Sequence, residues 1–258
     1  MFVDITGRFK RIRCLQKYFI MLAVMMVFGC GGGGGEGGGG ALPNPVNPSA
    51  ESFKFVLITD THVRLPGNPD DGFYDNDGNL RKFNDALDRI RDDHADAEFV
   101  LSAGDNVGCL FSSDPDDYGI GSDNPAERFK EMMDSIGKSY YVALGNHDYQ
   151  EGFNTSRGEG ITSGNPASIE AVWKKVLGID PYYSFVHKGV RFIVLNSVRG
   201  PEYSTACPSS TDERACKGSF DEVQMDWLET ELTNPEYCLI FLHHPIITDF
   251  NSIKIWSA

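Results

Sequence analysis

The chain has 258 residues, room for one large α/β domain or two small ones. Its apolar and charged fractions, 41% and 23%, are those of an ordinary globular protein. The net charge of −14 excludes a nonspecific nucleic-acid binder, which needs a basic face to meet phosphate.

Residues 1–17 carry Arg8, Lys10, Arg11, Arg13 and Lys17, and an apolar run of eleven residues extends from Tyr18 to Phe28. That is the length of a signal-peptide core and too short to cross a bilayer. The run ends in Val27-Phe28-Gly29-Cys30. A small residue followed by cysteine at this place resembles a bacterial lipoprotein signal, in which Cys30 takes lipid and becomes the first mature residue. Residues 31–40 are glycine apart from Glu36, and a proline-rich stretch continues to residue 50. Glycine has no side chain to bury, so this segment reads as a tether, flexible first and stiffer later. The expected division is a leader over 1–29, a tether over 30–51 and a folded domain over 52–258. The implied location is the cell envelope, with the membrane met through lipid on Cys30. Export leads to an oxidising compartment, so Cys207 and Cys216, in one polar stretch, are candidates for a local disulfide. Cys238 lies in an apolar strand pattern and reads as a buried thiol.

From residue 52 onward, apolar runs alternate with amphipathic ones. Residues 53–59 read as a buried strand. Residues 79–93 have helical spacing, with Leu80, Phe83, Leu87 and Ile90 on one face. Residues 98–102 read as a strand, 125–136 as a helix with Phe129, Met132, Met133 and Ile136 inward, 140–144 as a strand and 167–177 as a helix. Residues 182–187 and 190–196 flank Lys188-Gly189, a hairpin signal. Residues 220–232 read as a helix with Val223, Trp227 and Leu228 inward, and 237–242 as a last strand. The fold class is α/β. The apolar runs are too continuous for a one-sided sheet and predict a mixed, largely buried sheet covered by helices.

The residues just past the strands are more specific. The first strand runs into Thr59-Asp60-Thr61-His62, the second into Gly104-Asp105-Asn106, the third into Gly145-Asn146-His147-Asp148 and the last into His243-His244-Pro245. Singly, each is a common turn or capped loop. Together they place ionisable groups where open α/β sheets bind ligands, beyond the carboxyl ends of the strands. So many such groups in one place need a cation to offset repulsion and desolvation. Carboxylate oxygen with imidazole nitrogen suits Zn, Fe or Mn, and two ions about 3.5–4 Å apart can clamp a phosphoryl group. His94 and His187 lie in a helix end and a hairpin and read as surface or packing residues. Asp75-Asn-Asp77-Gly78-Asn79 resembles half a calcium loop, but Ala86 stands where its later acid belongs, so it reads as a solvated loop leading into a helix.

Asp60-x-His62, Gly104-Asp105-Asn106, Gly145-Asn146-His147-Asp148 and His243-x-Pro245 resemble the first four motifs of the calcineurin-like metallophosphoesterases, over residues 53–245. The resemblance implies a β-sandwich flanked by helices and a phosphate-ester substrate. It also implies two divalent ions whose bridging hydroxide attacks phosphorus. Asp60 and His62 would bind one ion, Asp105 would bridge, and Asn146 and His243 would bind the second, with His244 an additional candidate. His147 would assist the leaving group and Asp148 would orient His147. The family's closing Gly-His-x-His is absent after Pro245. The expectation is therefore a domain missing its last strands and two ligands, with reduced occupancy of the second metal. The competing reading is an inactive homologue displayed as a binding lipoprotein.

Overall fold

The computed structural model describes residues 2–4, 26–28, 52–64, 76–110, 112–119, 124–151, 162–163, 165–200, 218–233 and 237–244. The strands are β1 (Phe2–Asp4), β2 (Met26–Phe28), β3 (Lys54–Ile58), β4 (Phe99–Ala103), β5 (Ser139–Ala143), β6 (Gln150–Glu151), β7 (Thr162–Ser163), β8 (Tyr183–His187), β9 (Val190–Val194) and β10 (Tyr237–Phe241). The helices are α1 (Asn76–Asp92), α2 (Pro125–Asp134), α3 (Pro166–Leu177) and α4 (Glu222–Leu232). Among the described residues, no helix is long and apolar enough to cross a membrane.

The strands form two four-stranded sheets, in the orders β1-β3-β4-β5 and β2-β10-β9-β8, with a small β6-β7 pair beside them. Within the first sheet β3, β4 and β5 are parallel. In the second, β9 and β10 are parallel and β8 is antiparallel to β9. β1 and β2 pair antiparallel on the outer edges of β3 and β10. The single sheet expected from the apolar runs is thus two, the sandwich that the family resemblance implies.

The period of two along each strand explains the layers. Phe55, Phe99, Leu101 and Ala103 face Phe192, Leu239 and Phe241 across the sandwich. The alternate residues Val56, Val100 and Val142 point outward to a core shared with Phe83 and Leu87 of α1, Phe129 and Met133 of α2 and Trp173 of α3. Ile193 and Cys238 meet Leu228 of α4 on the other side. Both faces of both sheets are covered, so these strands read as near-continuous apolar runs. Tyr183 ties the sheets at one edge: its hydroxyl accepts from the Val142 N–H at 2.8 Å and donates to the Val142 carbonyl at 3.0 Å.

Phe99 is the hub of the inter-sheet layer. It is 1% exposed, stacks on Phe55 at 5.2 Å and meets Phe192 edge-on at 5.2 Å. Phe99→Ala removes these contacts and leaves a cavity that two sheets cannot close, an expected loss of about 3–5 kcal/mol. Urea unfolding checks this; a loss below about 1 kcal/mol would show that the layer is loosely packed.

Helix ends obey their local chemistry. The Asn124 side chain caps α2 by accepting from Glu127 N–H, and Asn165 caps α3 by accepting from Ala167 N–H, each followed by a proline in the first turn. Asp221 caps α4 by accepting from Gln224 N–H. The hairpin falls where expected, with Lys188 at φ 48 and Gly189 at φ 78, the left-handed pair of a two-residue turn.

Two expectations are corrected. Helix α1 starts at Asn76, so residues 76–79 of the supposed half calcium loop are helical backbone. In α4 Val223 is 67% exposed, and Gln224 is the buried residue. Its side chain accepts from Asn196 N–H at 2.7 Å and donates to Asn196 O at 2.9 Å. Those two bonds turn the helix face by one position, because they satisfy a buried backbone that a valine could not. Trp227 is only half-buried, against Tyr182. Cys238 is buried as expected. Cys30, Cys207, Cys216 and Pro245 lie outside the described residues.

Candidate metal centre

Three parallel neighbours, β3, β4 and β5, deliver their loops side by side. The ladder between the first two continues past the strands: Asp60 N–H donates to Gly104 O, His62 N–H to Asp105 O and Val63 N–H to Asn106 O, each at 3.0 Å. Along it Asp60, His62 and Asp105 hold φ of 56°, 44° and 52°. Left-handed backbone at a non-glycine residue costs on the order of 1–3 kcal/mol, and it clusters where a site needs side chains aimed against the strand pattern. The fourth loop, after β10, arrives from the opposite sheet. It fits because Gly104, at φ +97°, has no Cβ; one built there would lie 2.7 Å from the His243 Cβ. Gly145 is equally constrained, since a Cβ there would lie 2.3 Å from Asp105 Oδ1.

The loops bring together Asp60, His62, Asp105, His147 and His243. His243 Nε2 lies 3.3 Å from Asp105 Oδ2, and His62 Nε2 lies 3.7 Å from the same oxygen and 3.8 Å from Asp60 Oδ1. Two donor groups result, His62 with Asp105 and His147, and Asp60 with Asp105 and His243, with the donor atoms of each within 4.8 Å of one another. Asp105 belongs to both. Asn146 is buried beside them at the start of a 3-10 turn, where its side chain makes no capping bond. His147 N–H donates to Asp105 Oδ1 at 2.9 Å.

The donor set fits a divalent transition metal. His243 Nδ1 meets the Ala103 carbonyl at 3.0 Å, and His147 Nδ1 meets the Gly108 carbonyl at 2.8 Å. A carbonyl only accepts, so Nδ1 carries the proton in each ring, and the lone pair of the neutral imidazole sits on Nε2. At His243 that outer bond is the usual support of a metal-binding histidine, and at His147 it fixes the ring with Nε2 turned to proton exchange.

The charges are tightly coupled. Burial opposes ionisation of Asp105, but His243, His147 and His62 hold it well below the usual carboxylate range. Burial likewise opposes charge on His243, yet the Asp105 carboxylate, with Asp60 behind it, raises its pKa to about 9. Burial pushes His147 below its ordinary value. The imidazolium of His243 contributes stability that is full below about 6.5, the unfolded value, and is lost as pH rises through about 9. A metal must displace that proton. The apparent Mn²⁺ affinity is therefore expected to rise by up to about tenfold per pH unit in this window, with proton release visible by calorimetry in buffers of different ionisation enthalpy. A flat affinity without proton release contradicts this account.

His244 stands apart from both donor groups. Its Nδ1 lies 2.8 Å from Ser197 Oγ, and burial, together with the His243 charge, lowers its pKa to about 4. His187 pairs with Glu98 at 2.8 Å, and His94 lies just past the end of α1.

Asp148 plays a different part from the one expected. Its Oδ1 accepts from Asn106 N–H at 2.9 Å and Val107 N–H at 3.1 Å, and its Oδ2 accepts from the Asn106 amide and Gly145 N–H, both at 2.8 Å. It clamps the second and third loops together, and the Gly108 carbonyl orients His147 instead. Burial, with the Asp105 charge, pushes Asp148 up to about 7 against these donors. The sequence reading also missed Ser102, whose hydroxyl donates to Asn106 Oδ1 at 2.5 Å, and Arg64, 5% exposed beside Gly108. Arg64 stands two positions past His62, the only sequence cue it had; the supporting carbonyls carry none.

A two-sheet sandwich with imidazoles and carboxylates gathered where its strands end has the donors that a metalloenzyme needs. The family model for calcineurin-like phosphoesterases matches residues 53–256. The chain belongs to that family and is a metal-dependent phosphoester hydrolase. Among solved structures, a dimetal phosphatase from Danio rerio is similar at 18% identity and a TM-score of 0.48, over 75% of this chain and 70% of that one. A purple acid phosphatase from yellow lupin (Lupinus luteus) seeds is similar at 15% identity and a TM-score of 0.33, over 61% of this chain and 27% of that one. No curated protein matches the chain.

Proposed function

We propose that the chain hydrolyses phosphoric esters with two divalent ions (Mn, Fe or Zn) held by Asp60, His62, Asp105, Asn146 and His243. The observation that carries this reading is the shared carboxylate: Asp105 alone stands in both donor groups. When bound, the ions supply Lewis-acid charge for the phosphoryl oxygens and a nucleophile at neutral pH. The protein's part is placement and proton traffic. Asp105, fixed by His147 N–H, sets the separation of the two donor groups. His147 keeps its Nδ1 proton on the Gly108 carbonyl, so Nε2 is the nitrogen that exchanges protons with the substrate. An arriving phosphate dianion raises the lowered pKa of this ring. The ring then carries a second proton at Nε2 and gives it to the departing alkoxide.

The sequence supports the same enzyme as an exported lipoprotein, with leader 1–29, tether 30–51 and lipid on Cys30. Cleavage before Cys30 removes β1 and β2, which sit on sheet edges, and leaves β3-β4-β5 and β10-β9-β8 in the same order.

Purified protein should bind metal and hydrolyse p-nitrophenyl phosphate or its bis-ester, lose activity with chelator and regain it with Mn²⁺, Fe²⁺ or Zn²⁺. Less than one bound ion per chain and no turnover on either ester would sink the reading in favour of a non-catalytic binding protein.

A further inference from the structure

The turn that carries His147 spans three residues, His147–Tyr149, and no side chain caps its start. Its backbone bond from Tyr149 N–H to Asn146 O is 3.2 Å. So short a 3-10 turn does not fix its own place. Helix α3 grips it at two points. Trp173 Nε1 donates to the Asp148 carbonyl at 3.0 Å, and the Tyr149 hydroxyl donates to Glu170 Oε1 at 2.8 Å. Glu170 and Trp173 are three positions apart, so one face of the helix presents both. The Asn196 amide donates to the same hydroxyl at 2.6 Å. Burial and the Glu170 charge push the Tyr149 pKa well up, so the hydroxyl stays a donor.

Glu170 is held in turn. Arg199 Nη1 donates to both of its oxygens at 2.9 Å, Arg199 Nε donates to Asp221 Oδ2 at 2.8 Å, and Asp221 caps α4. A part-buried ion pair of this kind contributes little net stability; what it fixes is where the carboxylate stands. The bond it receives from Tyr149 is charge-assisted and directional. Asp105 and the Gly108 carbonyl hold His147 at the start of the turn, and Glu170 holds the end of the turn through Tyr149. We propose that Glu170 is a positioning residue of the hydrolysis: through the Tyr149 hydroxyl it sets the turn, and so aims His147 Nε2 at the leaving oxygen. This rests on the role given to His147 above.

The test compares wild type with Tyr149→Phe, which removes the hydroxyl, and Glu170→Gln, which keeps the shape and an acceptor but not the charge. His147→Ala is the reference. The readouts are kcat and KM on phenyl phosphate and p-nitrophenyl phosphate with Zn²⁺, bound Zn, and the water exchange of the His147 Nδ1 proton by NMR in the metal-free protein. p-Nitrophenolate is a weak base and leaves with little help, whereas phenolate needs a proton. A misaimed His147 therefore costs more on phenyl phosphate. Both variants are expected to lose about tenfold in kcat on phenyl phosphate and about threefold or less on p-nitrophenyl phosphate, with KM and bound Zn unchanged. The His147 Nδ1 proton should exchange about fivefold faster or more, while that of His243, held by Ala103 O, keeps its rate. The thermal midpoint shows whether each variant is folded; Glu170→Gln decides if Tyr149→Phe is not. Equal losses on both esters, losses that follow bound Zn, or a His147 proton that exchanges as in wild type overturn the proposal. If wild type hydrolyses neither ester, or His147→Ala treats the two alike, the reading of His147 fails by itself, and the exchange of its Nδ1 proton still decides whether Glu170 places the ring.

Discussion

Asp105→Asn is expected to yield a folded protein that has lost its metal-dependent turnover by about 1,000-fold or more. The amide can keep the Oδ1 acceptor for His147 N–H, so the loops stay in place while the charge is removed. Both donor groups lose their common ligand, and an amide is a far poorer bridge than a carboxylate. Metal content per chain should fall well below that of wild type. The His243 pKa should drop as well, because Asp105 is what raises it. Metal analysis, the calorimetric proton count and turnover check this together. Turnover within a few-fold of wild type, with metal retained, would remove Asp105 from the centre of the mechanism.

How far the fold and the site were legible from the residues depends on what each conclusion needed. Leu80, Phe83, Leu87 and Ile90 mark α1 because one helical face is buried. Lys188-Gly189 marks its hairpin because few dipeptides accept two left-handed positions. The donor residues were visible because Asp, His and Asn directly after apolar runs have few structural reasons to be there. The division into two sheets was not visible. Phe99 and Val100 are both apolar, one facing the other sheet and the other facing helices, and their order does not tell which partner each meets. Val223 misled because a valine four positions before Trp227 looks like core, while the need of the Asn196 backbone for Gln224 appears only in three dimensions. The bonds that hold His147 and His243 end on the carbonyls of Gly108 and Ala103, and a carbonyl leaves no trace in a sequence. The left-handed backbone of Asp60, His62 and Asp105 likewise belongs to the assembled site.

Asp148 is where the two roles, clamp and orienter, make opposite predictions. As a clamp, its carboxylate meets four N–H donors from the loops after β4 and β5, and it is fully buried. Asp148→Ala strands those donors away from water. Part of the loss is relieved by relaxation, and the expected net cost is about 3–5 kcal/mol. Asp148→Asn turns an amide nitrogen toward donors that already fill the site, and is expected to cost about 2–3 kcal/mol. Metal binding should weaken in step with stability, because Gly145 N–H and Asn106 are what hold Asn146 and Asp105 in register. If Asp148 served only to orient His147, both substitutions would leave the urea midpoint almost unchanged and affect only kcat. His147→Ala provides the contrast: on the clamp account it removes the proton donor, lowers kcat by about 100-fold or more, and leaves stability within about 1 kcal/mol of wild type. The clamp is therefore read from the difference between the two positions. Loss of stability at Asp148 but not at its neighbour means that the carboxylate holds the loops that carry the ligands, and loss at neither means that it does not.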